Sequence, residues 1–267
     1  MKKIAIHSVP RSGSSWLGEI INSSPEVSYA FQPLFSYAFK SRLNENSNLE
    51  DIERFYSEIE KTEDPFVKQI EDRKSGKKPN FIKNDSIKAV AYKEVRYHYI
   101  LKNLLEQDPD IKVIGLVRNP YSVISSWYKA PREFRIDLGW DLSEELLGAP
   151  KKNQDKKEEY FGLNKWVDTT LLFECLQKKY PNNFYLLKYE ELCSRTIETT
   201  KNLFSFLDLE YTEQTNNFLS SNKEVEGTYS VMKNKKLNEL NTDSLPIYIS
   251  DKITDVLKNN ALYDYAR

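Results

Sequence analysis

Residues 8–16 read Ser8-Val9-Pro10-Arg11-Ser12-Gly13-Ser14-Ser15-Trp16, and they follow directly on a short apolar run. A turn between a strand and a helix directs backbone N–H groups at the space over the helix N-terminus, where the helix dipole favours an anion such as phosphate. Here Gly13 permits close approach of the backbone, Ser14 and Ser15 offer hydroxyl donors, and Arg11 offers a charged guanidinium. The stretch therefore predicts an anion-binding loop.

This loop departs from the common nucleotide-binding pattern G-x-x-x-x-G-K-[ST]. Ser8 stands where the first glycine belongs, and Ser14 stands where the lysine belongs. That lysine normally contacts the β- and γ-phosphates, so its replacement argues against ATP or GTP hydrolysis. Taken alone, the loop also fits a serine-rich helix cap with an incidental arginine.

A second candidate anion site follows the apolar run 111–117. Arg118 comes directly after that run, Asn119 is a favourable N-cap, and Pro120 is a favourable first helical residue. Ser122 and Ser126 then fall four residues apart on one face of the predicted helix. Arg118 and a serine of this helix can converge on a second phosphate, although a surface arginine beside a routine helix start has the same pattern.

Around these motifs, short apolar runs alternate with amphipathic ones, which is typical of an α/β fold with a mostly parallel sheet. The predicted strands are 3–7, 88–92, 111–117 and 184–188. The predicted buried helix faces are Leu17, Ile20 and Ile21; Trp166, Val167, Leu171 and Cys175; and Ile197, Leu203, Phe204 and Leu207. We predict one domain over 1–267, with the polar segments 40–86 and 130–163 as insertions or lids on the acceptor side, neither of which carries a strong core signal of its own.

Composition excludes several classes of protein. The 267 residues include 39 basic and 40 acidic ones, a balance that argues against a general nucleic-acid binder. Only two cysteines, Cys175 and Cys193, are present, too few for a disulfide scaffold, and we expect both to be buried as small apolar residues. With two histidines, His7 and His98, we expect no metal site. The sequence carries no signal peptide or membrane span, so we expect a cytoplasmic protein.

Together the two motifs resemble those of the sulfotransferases that use 3′-phosphoadenosine 5′-phosphosulfate (PAPS). Residues 10–16 resemble the family's 5′-phosphosulfate loop, and Arg118 with Ser126 resembles its 3′-phosphate site. The resemblance continues in the runs 92–96 and 187–192, and it covers roughly residues 1–35, 88–130 and 164–220. The stretches 18–22 and 31–34 resemble the carbohydrate sulfotransferase branch more than the aryl branch.

The resemblance implies a P-loop NTPase-like fold in three layers, with PAPS as donor, 3′,5′-adenosine bisphosphate (PAP) as product and no metal. It also implies an acceptor hydroxyl on a glycan or glycolipid. The implied donor residues are Arg11, Ser12, Gly13, Ser14 and Ser15 for the 5′-phosphosulfate, Trp16 for adenine stacking, and Arg118 and Ser126 for the 3′-phosphate. Lys93 or Arg96 would reach the transferring sulfonate, and Lys233 or Lys235 would touch the 3′-phosphate.

One position departs from the family pattern. The carbohydrate branch carries a glutamate in Phe-Glu-Pro-Leu as the proposed base, whereas this chain has Gln32, which cannot accept a proton at neutral pH. Three alternatives stay open: Glu94 is the base, His98 is the base, or Gln32 only orients the acceptor. Because of Gln32, a non-catalytic protein that binds PAPS or PAP is a second possible function; a nucleotide-dependent kinase is a third.

Overall fold

The computed structural model describes residues 1–221 and 245–266. Its strands are β1 (Lys2–His7), β2 (Val27–Phe31), β3 (Ala89–Glu94), β4 (Lys112–Val117) and β5 (Phe184–Lys188). Its α-helices are α1 (Ser14–Asn22), α2 (Leu49–Lys61), α3 (Ile70–Lys74), α4 (Leu101–Gln107), α5 (Pro120–Tyr128), α6 (Leu142–Glu145), α7 (Pro150–Asn153), α8 (Leu163–Lys179), α9 (Tyr189–Ser194), α10 (Thr196–Phe206), α11 (Glu213–Ser220) and α12 (Ile247–Asn259).

All five strands are parallel, in the order β2-β3-β1-β4-β5. Alternate side chains of each strand face opposite sides of the sheet. Ile4 and Ile6 pack into a cluster with α1, α9 and α10, while Ala5 faces a second cluster that contains α2, α4, α5, α8 and α12. The sheet is therefore covered by helices on both faces, and the predicted three-layer α/β fold is confirmed.

The strand order brings the two sequence motifs together. β1 and β4 are neighbours, with His7 paired to Gly115, so the segments that follow them leave the same edge of the sheet. The loop 8–13 continues from β1, and Arg118 continues from β4. Open α/β sheets bind ligands at the carboxyl ends of their strands, where the strand order changes direction.

The two segments predicted as insertions or lids both contribute side chains to the shared core, a contribution that their sequences did not indicate. In 40–86, α2 buries Ile52, Phe55 and Ile59 against the sheet. In 130–163, a further set of apolar side chains is buried: Phe134, Leu142, Leu146, Ala149 and Phe161. Their spacing is interrupted by short turns and charged residues, which concealed the apolar pattern.

Other differences are local. Strand β2 was not predicted, and β3 extends two residues past the predicted strand, to Glu94. The buried face predicted for α8 is partly wrong, because two of its residues face solvent: Cys175 is exposed and Leu171 is 41% exposed. The buried face instead follows the positions Trp166, Val167, Thr170, Phe173 and Leu176. Ile197 of α10 is likewise exposed, and Cys193 is half-buried.

Among the helices of the described ranges, none has both the length and the apolar character needed to cross a lipid bilayer.

Candidate functional site

The loop between β1 and α1 is held in a left-handed turn. Arg11 has φ 70° and Gly13 has φ 91°, values that a glycine adopts without strain and an arginine does not. The ring of Tyr189 packs so closely under Gly13 that a Cβ built there would lie 2.3 Å from it. The N-cap residue Gly13 has no side chain to cap α1, and the first turn contains no acidic residue, so the helix presents its positive end to the site.

Polar side chains line the turn. The Oγ atoms of Ser8 and Ser12 are fully buried and have no hydrogen-bond partner within residues 1–221 and 245–266. Ser14 is buried, whereas Ser15 and Trp16 are half-buried. The Trp16 ring lies edge-on to the Tyr189 ring, with 6.2 Å between the centroids. Buried hydroxyls without partners are uncommon, and they are expected where a ligand supplies the missing bond.

The structure brings the two motifs into direct contact. Arg118 Nη1 donates to the Arg11 carbonyl oxygen over 3.1 Å, and Arg11 Nε donates to Ser126 Oγ over 3.2 Å. The Arg118 guanidinium also lies 4.7 Å from the centre of the Tyr189 ring. Tyr189 thus contacts both the Gly13 turn and Arg118, so the two motifs lie next to the same ring.

The start of α5 is fixed as the sequence predicts. Asn119 Oδ1 accepts hydrogen bonds from the amides of Tyr121 and Ser122, and Pro120 is the first helical residue. The Arg118 carbonyl accepts from Trp166 Nε1 over 3.0 Å. These bonds fix the backbone that follows the Arg118 side chain.

A second group of polar residues lies at the carboxyl ends of β2 and β3. Gln32, with φ 43°, donates its amide N–H to the Lys93 carbonyl over 2.8 Å. Arg96 Nη1 donates to Gln32 Oε1 over 3.2 Å, and its guanidinium lies 4.1 Å from the centre of the Phe35 ring. Arg96 is also paired with Glu159 at 2.9 Å. The Gln32 side chain is therefore oriented by an arginine that is itself fixed.

Glu94 is a fully buried carboxyl group with one oxygen engaged. Its Oε1 accepts from the Leu34 amide over 2.8 Å, while its Oε2 has no hydrogen-bond partner among the described residues. Burial raises the pKa of Glu94 above its ordinary value, and the positive charges of Lys93 and Arg96 offset part of that rise. Burial conversely lowers the pKa of Lys93. The backbone carbonyl of Glu94 accepts from the Ser8 amide, which places it beside the start of the anion-binding loop.

Both histidines are completely buried. His98 Nδ1 and His7 Nδ1 are 3.0 Å apart, and His7 Nε2 lies 3.1 Å from the Tyr92 hydroxyl. Burial lowers the pKa of His7 to about 3 and that of His98 well below its ordinary value, so both rings are neutral. His7 lies in the core, as expected. His98 is enclosed by His7, Tyr160 and Phe173, an environment that favours a core role over proton transfer to a ligand.

Glu133 and Glu159 lie among the charged groups of the site, but no sequence pattern predicts them as site residues. Glu133 Oε2 is 3.7 Å from Arg11 Nη1, and Glu159 pairs with Arg96. No local pattern marks them, because each is far along the chain from its partner. Lys233 and Lys235 lie outside the described residues. In the part of the chain that the structure covers, no group of three or more His, Cys, Asp or Glu side chains is arranged to hold a metal ion.

Residues 1–252 match the family model described as the sulfotransferase domain. Three solved structures share the fold. The chain is 14% identical to mouse sulfotransferase SULT7A1 complexed with PAP (99% of this chain and 89% of that chain covered, TM-score 0.52). It is 14% identical to a sulfotransferase from Alicyclobacillus acidocaldarius (100% and 96% covered, TM-score 0.54). It is 13% identical to retinol dehydratase in complex with retinol and PAP (97% and 82% covered, TM-score 0.55). No curated protein matches the chain.

Proposed function

Because the chain belongs to the sulfotransferase domain family, we propose that it transfers the sulfuryl group of PAPS to a hydroxyl group on a carbohydrate or glycolipid. The observation that carries this proposal is the contact between the two motifs. Arg118 bonds to the Arg11 carbonyl, and Arg11 bonds to Ser126. A donor with phosphate groups at both its 3′ and 5′ positions requires two cationic sites within one molecule's length.

The residues of the loop fit such a donor. The uncapped start of α1 and the buried Ser12 hydroxyl offer hydrogen-bond donors for a 5′-phosphosulfate. A Cβ at Gly13 would collide with the Tyr189 ring, so glycine allows the loop to pack on the ring that also contacts Arg118. PAPS supplies the activated sulfuryl group when bound.

Each motif has a separate task in this proposal. Arg11 and the hydroxyls of Ser14 and Ser15 bind the 5′-phosphosulfate and stabilise the negative charge that develops on the leaving phosphate. Arg118 and Ser126 bind the 3′-phosphate. Trp16 stacks on the adenine, a contact worth about 1–3 kcal/mol.

Glu94 accepts the proton of the acceptor hydroxyl. Its Oε2 is the atom without a partner, and the Leu34 amide fixes the other oxygen. A raised pKa brings a carboxylate closer to the acidity at which it is an efficient base near neutral pH. Gln32, held by Arg96, orients the acceptor, and Lys93 contacts the transferring sulfonate.

Exposed aromatic rings support a sugar acceptor. Phe35 is 47% exposed and has the Arg96 guanidinium on one face, and Tyr37 is completely exposed. Flat aromatic faces stack on the C–H groups of sugar rings, while Gln32 and Arg96 offer polar groups beside them. These aromatic rings support a sugar as the acceptor and do not bear on PAPS as the donor.

Calorimetry with PAP and with ATP tests the donor site. We expect wild-type protein to bind PAP in preference to ATP, because ATP has no 3′-phosphate for Arg118. Arg118→Ala should weaken PAP binding about 10–100-fold, since a charge-assisted hydrogen bond is worth about 1.5–3 kcal/mol. The control is Lys129→Ala, which removes one exposed positive charge just after α5 and should leave the affinity unchanged.

Transfer of isotopically labelled sulfate from PAPS to a panel of hydroxyl acceptors tests the reaction. Labelled glycan or glycolipid product is the expected result. Tight PAP binding without transfer to any acceptor would favour a non-catalytic PAP-binding protein. Gln32 motivates this alternative because it cannot accept a proton. Metal-dependent ATP binding in preference to PAP would instead indicate a kinase.

A further inference from the structure

Two buried lysines at one end of the sheet lie against the same aromatic ring. Lys93 belongs to β3, and Lys78 lies between α3 and β3. Their Nζ atoms are 4.7 Å (Lys93) and 5.8 Å (Lys78) from the centre of the Phe31 ring. The two residues are only 3% and 8% exposed. Two largely buried lysines therefore contact one aromatic ring at the carboxyl ends of β2 and β3.

Neither ammonium has the partner that a buried charge normally has. Throughout residues 1–221 and 245–266, neither Nζ makes a hydrogen bond or an ion pair; the ring of Phe31 is the contact that both have in common. The face of an aromatic ring attracts a cation, but more weakly than a carboxylate does at contact. Buried lysines are rare unless paired, because their charge loses its hydration.

Among the described residues, four carboxylates act on the pKa of the two lysines, Glu19 and Asp72 on Lys78 and Glu94 and Glu133 on Lys93, but none forms an ion pair with either Nζ. Glu19, which lies close enough to affect the pKa of Lys78, is paired with Arg73 at 3.0 Å. Glu94 affects the pKa of Lys93, but its Oε1 accepts from the Leu34 amide. The charge of Lys78 also lowers the pKa of Lys93, so the two ammonium groups repel each other. A bound anion would remove this repulsion.

The position of Lys78 is built into the fold. Its backbone amide donates to the Asp72 carbonyl over 3.0 Å, at the end of α3. Helix α3 is in turn tied to α1 by the Arg73–Glu19 pair and to the preceding turn by the bond from Arg73 Nε to the Lys68 carbonyl. Lys78 is thus placed beside Lys93 by contacts that do not involve its charge.

We propose that Lys78 and Lys93 form one subsite for a sulfate-like oxyanion. This inference rests on the proposed function and assigns to Lys78 a binding role in it. The anion has two possible sources with the same chemistry: the sulfuryl group of the donor, or an anionic substituent of the acceptor. In either case the oxygens of the anion accept hydrogen bonds from both ammonium groups.

The test compares Lys78→Gln with Lys77→Gln, which removes an adjacent but exposed charge. Calorimetry measures the binding of PAPS, PAP and inorganic sulfate to each variant. If the donor's sulfuryl group occupies the subsite, Lys78→Gln weakens PAPS binding about tenfold or more and leaves PAP binding unchanged. If the acceptor's anion occupies it, both nucleotides bind normally, but the KM of anionic acceptors rises about tenfold while that of neutral acceptors does not.

Lys78→Arg keeps the charge and should restore most of the affected affinity, which separates loss of charge from loss of packing. The proposal is overturned if Lys78→Gln behaves like Lys77→Gln in every measurement. It is also overturned if Lys78→Gln weakens PAP and PAPS equally, since that result indicates a structural effect on the whole donor site. If the wild-type protein binds neither nucleotide, the proposed function fails, whereas inorganic sulfate binding that depends on Lys78 still supports the subsite.

Discussion

Glu94 combines two properties of a catalytic base, a buried oxygen without a partner and a pKa raised by burial. Glu94→Gln keeps the shape and the bond to the Leu34 amide but removes the proton acceptor. We expect turnover to fall about 10²–10⁴-fold, with PAP affinity unchanged because the proposed role of Glu94 is to take the proton of the acceptor hydroxyl. Steady-state kinetics and calorimetry measure the two quantities.

The pH dependence gives a second measure of the same role. A base must be ionised, so activity should rise with pH through the pKa of Glu94, above the ordinary carboxyl value of 4.5. This rising limb should be absent from the residual activity of Glu94→Gln. Wild-type turnover in the variant would exclude Glu94 and leave Gln32 as an orienting residue with proton loss to another group.

The neutral pair His7 and His98 makes stability depend on pH. In the unfolded chain each ring has its ordinary pKa of 6.5, whereas in the fold burial lowers both values. The unfolded state therefore binds more protons below pH 6.5, and the free energy of unfolding falls as the pH falls from 6.5 toward the folded pKa, about 3 for His7. Each histidine contributes up to about 1.4 kcal/mol per pH unit.

Urea denaturation of His98→Gln between about pH 5 and 6.5 checks this linkage. The slope of the unfolding free energy against pH, averaged over this range, should be lower by about 1.1 kcal/mol per pH unit than in the wild type, because one buried neutral histidine with an unfolded pKa of 6.5 is gone. The comparison of slopes is independent of any change in overall stability. Parallel slopes in the two proteins would mean that His98 is protonated in the fold.

At the scale of elements, the turn that begins α1 depends on a glycine. Gly13→Ala places a Cβ 2.3 Å from the Tyr189 ring in a backbone conformation with φ 91°. Gly76→Ala is the matched control, because Gly76 also has positive φ, 72°, but nothing lies within 4 Å of its Cβ position. Both variants carry the backbone strain, and the first alone must displace an aromatic ring.

We therefore expect Gly13→Ala to lower the free energy of unfolding by about 1–3 kcal/mol more than Gly76→Ala does. Only Gly13→Ala should weaken PAP binding, since the same ring supports Arg118. Thermal unfolding and calorimetry measure the two effects. Equal stability of the two variants would show that Tyr189 moves aside without cost.

The elements that the sequence predicts well are those whose signal is local. Strand β4 and the start of α5 could be predicted because an apolar run, an N-cap asparagine and a proline lie side by side. Strand β2 was missed since its five residues mix Ser28 with aromatic side chains. The buried face of α8 was wrong because Thr170 belongs to it, whereas the apolar Leu171 faces outward. Hydrophobicity alone does not identify such faces.

For the whole molecule, the sequence predicts which residues carry charge but not which distant partners meet. The pairing of β1 with β4 converts two motifs about a hundred residues apart into one site. By contrast, Glu133 and Glu159 reach Arg11 and Arg96 from a segment with no recognisable motif. Such contacts are set by tertiary packing, which leaves no pattern within a sequence window.

A ligand that bridges both motifs should stabilise the chain as one unit, since one sheet carries both halves of the site. PAP at about 100 times its Kd should raise the free energy of unfolding by about 2.7 kcal/mol. At the same PAP concentration Arg118→Ala should gain only about 0.4–1.4 kcal/mol, because its affinity is expected to be 10–100-fold weaker. Urea unfolding followed by tryptophan fluorescence and by circular dichroism should give one coincident transition, displaced as a whole by PAP. Two separate transitions, only one of which is displaced by PAP, would instead show that the chain has separate domains and that PAP binds to one of them.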